Sequence, residues 1–183
     1  MIPSAQMLPT PRILVSPAVQ HRVDRRLLAQ LARRVRRAAP RLGIDADALS
    51  ELGLRIVDDR EMAELHLEFM GEAGPTDVLS FTPQQAHDCE FEPGLLGDLV
   101  LDWDAIERQA RDLSMAALLD EATVLVVHGL AHLRGHDHRN RCEGRAMHSL
   151  ERRVLRALRV PDPPRVYAPR LRACARDLRD DHE

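Results

Sequence analysis

The chain has 183 residues, 44% apolar and 30% charged, which suits one compact domain with a substantial core. No apolar run approaches the ~20 residues of a membrane span, the first residues (MIPSAQMLPTPRILVS) lack the regions of a secretory signal, and three scattered cysteines (Cys89, Cys142, Cys174) form no CxxC pair, so a disulfide framework is excluded and a reducing cytoplasm is expected. The net charge of −3 conceals a basic–acidic–basic order: nine arginines and one acid up to residue 41, four arginines and 20 acids over 42–133, then 13 arginines and eight acids.

Residues 12–16 (RILVS) read as an edge or first strand. Over residues 20–39, Val23, Leu27, Leu28, Leu31 and Val35 recur at helical spacing, with most arginines off that stripe, which predicts a basic amphipathic helix ended by Pro40 and Gly43. Leu52, Leu54 and Ile56 alternate with Gly53 and Arg55 as a half-buried strand, and a short helix follows over residues 59–69. After a Gly74-Pro75 turn come a strand over 77–81, a polar loop over 82–94 and a strand over 97–102. A helix is expected over 103–112. Residues 115–133 are the most apolar stretch and predict a buried helix. Residues 140–159 form a further amphipathic helix, after which PDPP breaks regular structure. The fold class is α+β: a small four-stranded sheet packed with five to six helices, in one domain over residues 1–160, with an Arg/Pro-rich tail over 161–183.

The chemistry lies at the end of the buried helix, in His128-Gly-Leu-Ala-His132-Leu-Arg-Gly135-His136-Asp137-His138. Residues i and i+4 share a helical face, so His128 and His132 can address one centre. Gly135 is placed to stop the helix, letting the chain return His138 or His136 as a third nitrogen ligand. Three nitrogens and one open position make a catalytic rather than a structural zinc site. With nine histidines in the chain, such a spacing arises by chance in roughly 2% of sequences, so a coincidence of core histidines is disfavoured. No carboxylate completes a two-His iron triad, which favours one zinc per chain, although nickel and copper accept the same ligand type.

The spacing also fits the zinc-protease pattern H-E-x-x-H-x-x-G-x-x-H, except that Gly129 stands where the general-base glutamate belongs. Protease chemistry thereby loses its proton acceptor. A glycine inside a helix costs about 1 kcal/mol against alanine, so close packing over position 129 is expected.

At these residues the sequence resembles the YbeY family of bacterial endoribonucleases and ribosomal RNA maturation factors, whose signature H-G-x-x-H-L-x-G-[aromatic or His]-D-H is matched throughout. Pro75-Thr76-Asp77-Val78-Leu79-Ser80-Phe81 is similar to the family's P-T-D-V-L-S-F segment, Gly97-Asp98-Leu99-Val100 to its G-D-I-V strand, and Met147 and Glu151 to its M-F-x-x-E helix. The resemblance implies a mixed sheet, zinc held by His128, His132 and His138 with His136 outside the ligand set, and single-strand-specific, metal-dependent RNA cleavage. The implied role is maturation of the 16S rRNA 3′ end and ribosome quality control in the cytoplasm. The implied partners are small-subunit rRNA, ribosomal proteins and an Era-type GTPase, with no membrane involved.

One segment departs from the family. Where members show L-N-x-x-Y-R-G-K-D, this chain has Leu65, His66, Leu67, Glu68, Phe69, Met70, Gly71, Glu72 and Ala73. Met70 and Glu72 thus replace an arginine thought to bind phosphate and a lysine. Arg134 and Arg139, flanking the histidine motif, are the candidates to substitute. Asp137 is either a partner that orients a ligand imidazole or accepts a proton, or simply a loop hydrogen-bonding residue. Thr76 and Ser80 are candidates to line the cleft. The competing reading is a non-catalytic, zinc-stabilised ribosome assembly factor binding rRNA or ribosomal proteins. The basic ends suit it, because all basic side chains are arginines, whose planar guanidinium pairs with phosphate.

Overall fold

The computed structural model describes residues 9–82 and 96–161. Most of the expected loop over 82–94, Cys89, and the tail from residue 162 onward with Cys174 lie outside the described residues. Among those described, four strands and six α-helices build the expected α+β domain: β1 (Arg12–Val15), α1 (Arg25–Ala38), α2 (Ala46–Glu51), β2 (Gly53–Val57), α3 (Asp59–Met70), β3 (Val78–Phe81), β4 (Asp98–Asp102), α4 (Trp103–Gln109), α5 (Met115–Leu133) and α6 (Arg141–Leu158). The sheet order is β1-β2-β4-β3, with β1, β2 and β4 parallel and β3 antiparallel to β4. β1 is an edge, as its short length suggests. β2 is central rather than half-buried: only Arg55 is exposed, and it pairs with Glu61.

Side-chain alternation divides the sheet between two cores. Leu54, Ile56, Leu99 and Leu101 point into the main core with α1, α5 and α6, whereas Val57, Leu79 and Val100 pack with Met62 beneath α3. The main core is aliphatic apart from Trp103, which is fully buried with its indole Nε1–H donating to Glu107 Oε1 at 2.7 Å. Each fully buried Leu or Ile contributes about 1.5–3 kcal/mol.

Side-chain caps set several helix ends. α1 starts at Arg25 instead of residue 20 because the Asp24 carboxylate accepts from Arg26 N, while Val19 and Val23 extend the apolar stripe through turns. α2 was not expected; Asp45 caps it and Leu49 is its single buried residue, so it has almost no periodic signature. α4 ends at Gln109, three residues early, and Ser114 caps α5. Asn140 caps α6, and Arg159 closes it in the left-handed region at φ 60°.

α5 corrects the composition argument about membranes. At 19 residues it is long and apolar enough to cross one, yet it forms the core's central rod, buried without a break from Glu121 to Val127. Arg34 ties α1 to it, donating through Nη1 to Asp120 Oδ1 at 2.7 Å and Thr123 Oγ1 at 3.0 Å.

A carboxylate cluster joins α3 and α4 to the end of β4. Asp102 is fully buried; its Oδ1 caps α4 by accepting from Asp104 N and Ala105 N. Burial, followed by the neighbouring Asp59, pushes the Asp102 carboxyl up to about 7. The folded state therefore retains a proton that the unfolded chain releases near pH 4. The resulting cost to folding is absent below about pH 4 and grows as the pH rises toward 7. Asp102→Asn keeps the cap without the charge, so denaturant unfolding at about pH 5 and pH 7.5 is expected to show the variant gaining stability relative to the parent at the higher pH.

Candidate metal centre

The last turns of α5 present His128 and His132 on one face, with Nε2 atoms 3.1 Å apart. The helix then stops in a Schellman motif around Gly135, whose φ is +80°: Gly135 N donates to His132 O at 2.8 Å and His136 N to Ala131 O at 3.0 Å. That reversal brings His138 back, its ring stacked 5.5 Å from His128 and edge-on 5.1 Å from His132, centroid to centroid. One ligand nitrogen from each of the three lies within 4.8 Å of the others, and His136 is not part of the group. The expected triad assembles.

A buried carboxylate orients it. Glu151 of α6 is fully buried, with Oε1 2.6 Å from His128 Nδ1. A carboxylate accepts, so Nδ1 carries a hydrogen and His128 Nε2 is the nitrogen turned toward the other imidazoles. Burial, then His128 and His138, push the His132 imidazole down to about 4, leaving it neutral at physiological pH with its lone pair available. Converging imidazole nitrogens without a thiolate are the donor set of zinc and its borderline neighbours, so the residues present fit a divalent metal.

Gly129 shows why the helix can lie so low on the sheet. A Cβ there would stand 2.7 Å from Leu99 Cδ2 and 3.2 Å from Ser80 Oγ, and those two residues are register partners on β4 and β3. The expected close packing is present, and any side chain at 129 requires Leu99 to shift.

A cleft of about 530 Å³ opens over the histidines, lined among others by His66, Met70, Thr76, Ser80, Asp137 and Arg139. Thr76 and Ser80 thus line it as expected. Asp137 lines the cleft and makes loop contacts: Oδ1 accepts from His138 N at 2.7 Å, and Oδ2 pairs with Arg139 Nε at 2.7 Å. The carboxylate on a ligand imidazole is Glu151. Arg139 lines the cleft and is 87% exposed. Arg134 is not among the described lining residues; its guanidinium points toward Gly43, where a Cβ would lie 3.8 Å from its Nη2. Sequence reading gave no role to Glu151 beyond its motif, or to His66, which shares the cleft from α3.

The model of the family described as "Endoribonuclease YbeY" matches residues 17–159. The chain belongs to the YbeY family. Among curated relatives named Endoribonuclease YbeY, that of Thermobifida fusca is 39% identical over 72% of this chain and 84% of its own length. Those of Kineococcus radiotolerans and Acidothermus cellulolyticus are 43% and 40% identical, over 58% and 61% of this chain and 64% and 73% of theirs. The three-histidine cage therefore sits in a chain of the endoribonuclease class.

Two substitutions probe the metal centre. Glu151→Gln keeps the shape but weakens the hold on His128, and metal affinity, measured by competition with a chelator, is expected to fall by about 10–100-fold. Gly129→Ala is expected to lower the thermal unfolding midpoint although alanine is the better helix former, because overpacking against buried Leu99 costs about 1–3 kcal/mol.

Proposed function

We propose that this protein is a zinc-dependent endoribonuclease that cleaves single-stranded RNA, acting on small-subunit rRNA in 16S 3′-end maturation and ribosome quality control in the cytoplasm. The observation that carries the reading is the group of three converging imidazoles in an open cleft, in a chain of the endoribonuclease family. His128, His132 and His138 would hold the metal, and when bound it supplies Lewis acidity toward water and a phosphoryl oxygen. Glu151 fixes the His128 tautomer, Thr76 and Ser80 offer hydroxyls to a strand in the cleft, and Arg139 offers a guanidinium at its rim. The five aromatic residues of the chain are too few for a base-stacking platform, so RNA contacts are mainly to phosphate. Ribosomal proteins and an Era-type GTPase remain the partners to test.

A second reading, a non-catalytic assembly factor, is favoured by one observation. Met70 and Glu72 line the cleft and bring no fixed positive charge to it. Ribonuclease assays with and without chelator, on the parent and on His132→Ala, separate the two. The endoribonuclease reading expects cleavage that chelation and His132→Ala both abolish, with loss of bound zinc by elemental analysis. An absence of cleavage under every metal condition leaves the assembly factor.

Two further outcomes follow from charge. A guanidinium placed beside developing phosphoryl charge typically contributes about 10²–10³ in rate. Met70→Arg is therefore expected to raise single-turnover cleavage with zinc content unchanged; a flat response means another cleft group already fills the role. On α1, Arg33 and Arg37 are exposed and Arg36 is half-buried. If this face holds RNA, replacing all three with Gln flattens the dependence of log affinity on log salt, by about 0.7 for each single-strand phosphate no longer neutralised. An unchanged slope makes α1 an ordinary solvated face. Arg22 is outside this group, because it pairs with Asp104 and Glu107.

A further inference from the structure

The cleft that holds the three histidines also holds a further imidazole, held in orientation by a backbone carbonyl. His66 lies on the penultimate turn of α3, its side chain 14% exposed, and lines the same cleft as the three-histidine cage. Gly71 closes α3 in the left-handed region at φ 71°, donating to Leu67 O at 3.1 Å, and so folds the following residues back alongside His66. His66 Nδ1 is 2.8 Å from the Gly74 carbonyl oxygen. A carbonyl only accepts, so Nδ1 carries a hydrogen in every protonation state compatible with this contact. Nε2 is then the nitrogen that takes up and gives out a proton, and Glu72 Oε2 lies 3.5 Å from it. The result is a carbonyl–imidazole–carboxylate array in the same cleft as the cage, in the segment where Met70 and Glu72 supply no fixed cation.

We propose that His66 is the general acid of the RNA cleavage reaction, an assignment that rests on the endoribonuclease reading above. Hydrolysis adds water across one P–O bond. The water oxygen forms a new bond to phosphorus and releases a proton to solvent. The bond from phosphorus to the departing ribose oxygen breaks, with its electron pair going to that oxygen. The Nε2 proton of His66 passes to the oxygen, so that an alcohol leaves instead of an alkoxide, and the imidazole regains a proton from solvent. Gly74 fixes the ring orientation throughout, and the Glu72 carboxylate lies beside Nε2. Proton donation of this kind contributes about 10²–10⁴ in rate.

The test compares two oligoribonucleotides: one with an ordinary phosphodiester at the cleavage position, the other with sulfur replacing the departing bridging oxygen. A thiolate leaves without being protonated, so the second strand needs no general acid. His66→Asn retains an N–H for Gly74 and cannot transfer protons; His66→Ala serves as a second variant. His66→Asn is expected to cleave the all-oxygen strand about 10²-fold or more slowly than the parent and the sulfur strand within a few-fold of it. Zinc content and affinity for an uncleavable 2′-O-methyl strand should be unchanged. Equal losses on both strands, or no loss on either, overturn the assignment while leaving the endoribonuclease reading intact. A parent protein that cleaves neither strand overturns that reading, and the assignment falls with it.

Discussion

The hydrogen bond between Glu151 and His128 is the contact on which the site depends. It joins α6 to α5 at one register, and the apolar face of α6 (Met147, Leu150, Val154, Leu155 and Leu158) holds that register from either side. A fully buried carboxylate without a partner is costly, and removing one member of a buried pair typically costs about 3–5 kcal/mol, so packing and polar contact enforce one another. The consequence for chemistry is local. One tautomer of His128 is selected, and its Nε2 is left to converge with the nitrogens of His132 and His138.

The rest of the fold supplies a rigid base for that convergence. α5 is pressed onto the sheet where Gly129 meets the Ser80–Leu99 pair, and Ser80 Oγ lies 3.4 Å from the Gly129 carbonyl oxygen. Two ligands thus stand on the most deeply buried helix, while the third arrives through the Gly135 reversal, a short excursion set by two backbone hydrogen bonds. The groups that would meet RNA come instead from the end of α3, from β3 and its approach, and from the segment after α5. Ligand geometry is therefore built into the core, and substrate contacts are left to segments that can vary, as Met70 and Glu72 illustrate.

Much of this was legible in the sequence because it is local. The i, i+4 histidine pair, the helix stop at Gly135 and the tight packing at Gly129 each follow from spacing or from a single residue's conformational cost, and the histidine and P-T-D-V-L-S-F motifs carry the family resemblance. What was not legible depends on tertiary direction. Glu151 is 23 residues from His128, and nothing in the spacing says that the two side chains meet. Arg134 immediately follows α5, and its guanidinium lies near Gly43, a proximity that sequence spacing does not show. β2 has an alternating pattern yet is central, since its other face is covered by α3 rather than by solvent. α5 has the composition of a membrane span and is a core helix, a distinction that composition alone does not make. The caps at Asp24 and Asp45 were visible residues whose weight lay below that of the apolar periodicity around them.

The segregation of charge acquires a partial structural meaning. Arg22 and Arg34 are consumed in fastening the amino-terminal region to α4 and α5, which leaves other arginines of α1 and α6 exposed. The central claim, however, is the three-imidazole cage itself. X-ray absorption at the zinc edge on the metal-loaded protein tests it most directly. The expected spectrum contains three imidazole nitrogens at about 2.0–2.1 Å and one light scatterer from solvent in the fourth position. A sulfur ligand near 2.3 Å, or a closed shell of four protein ligands, would contradict the account.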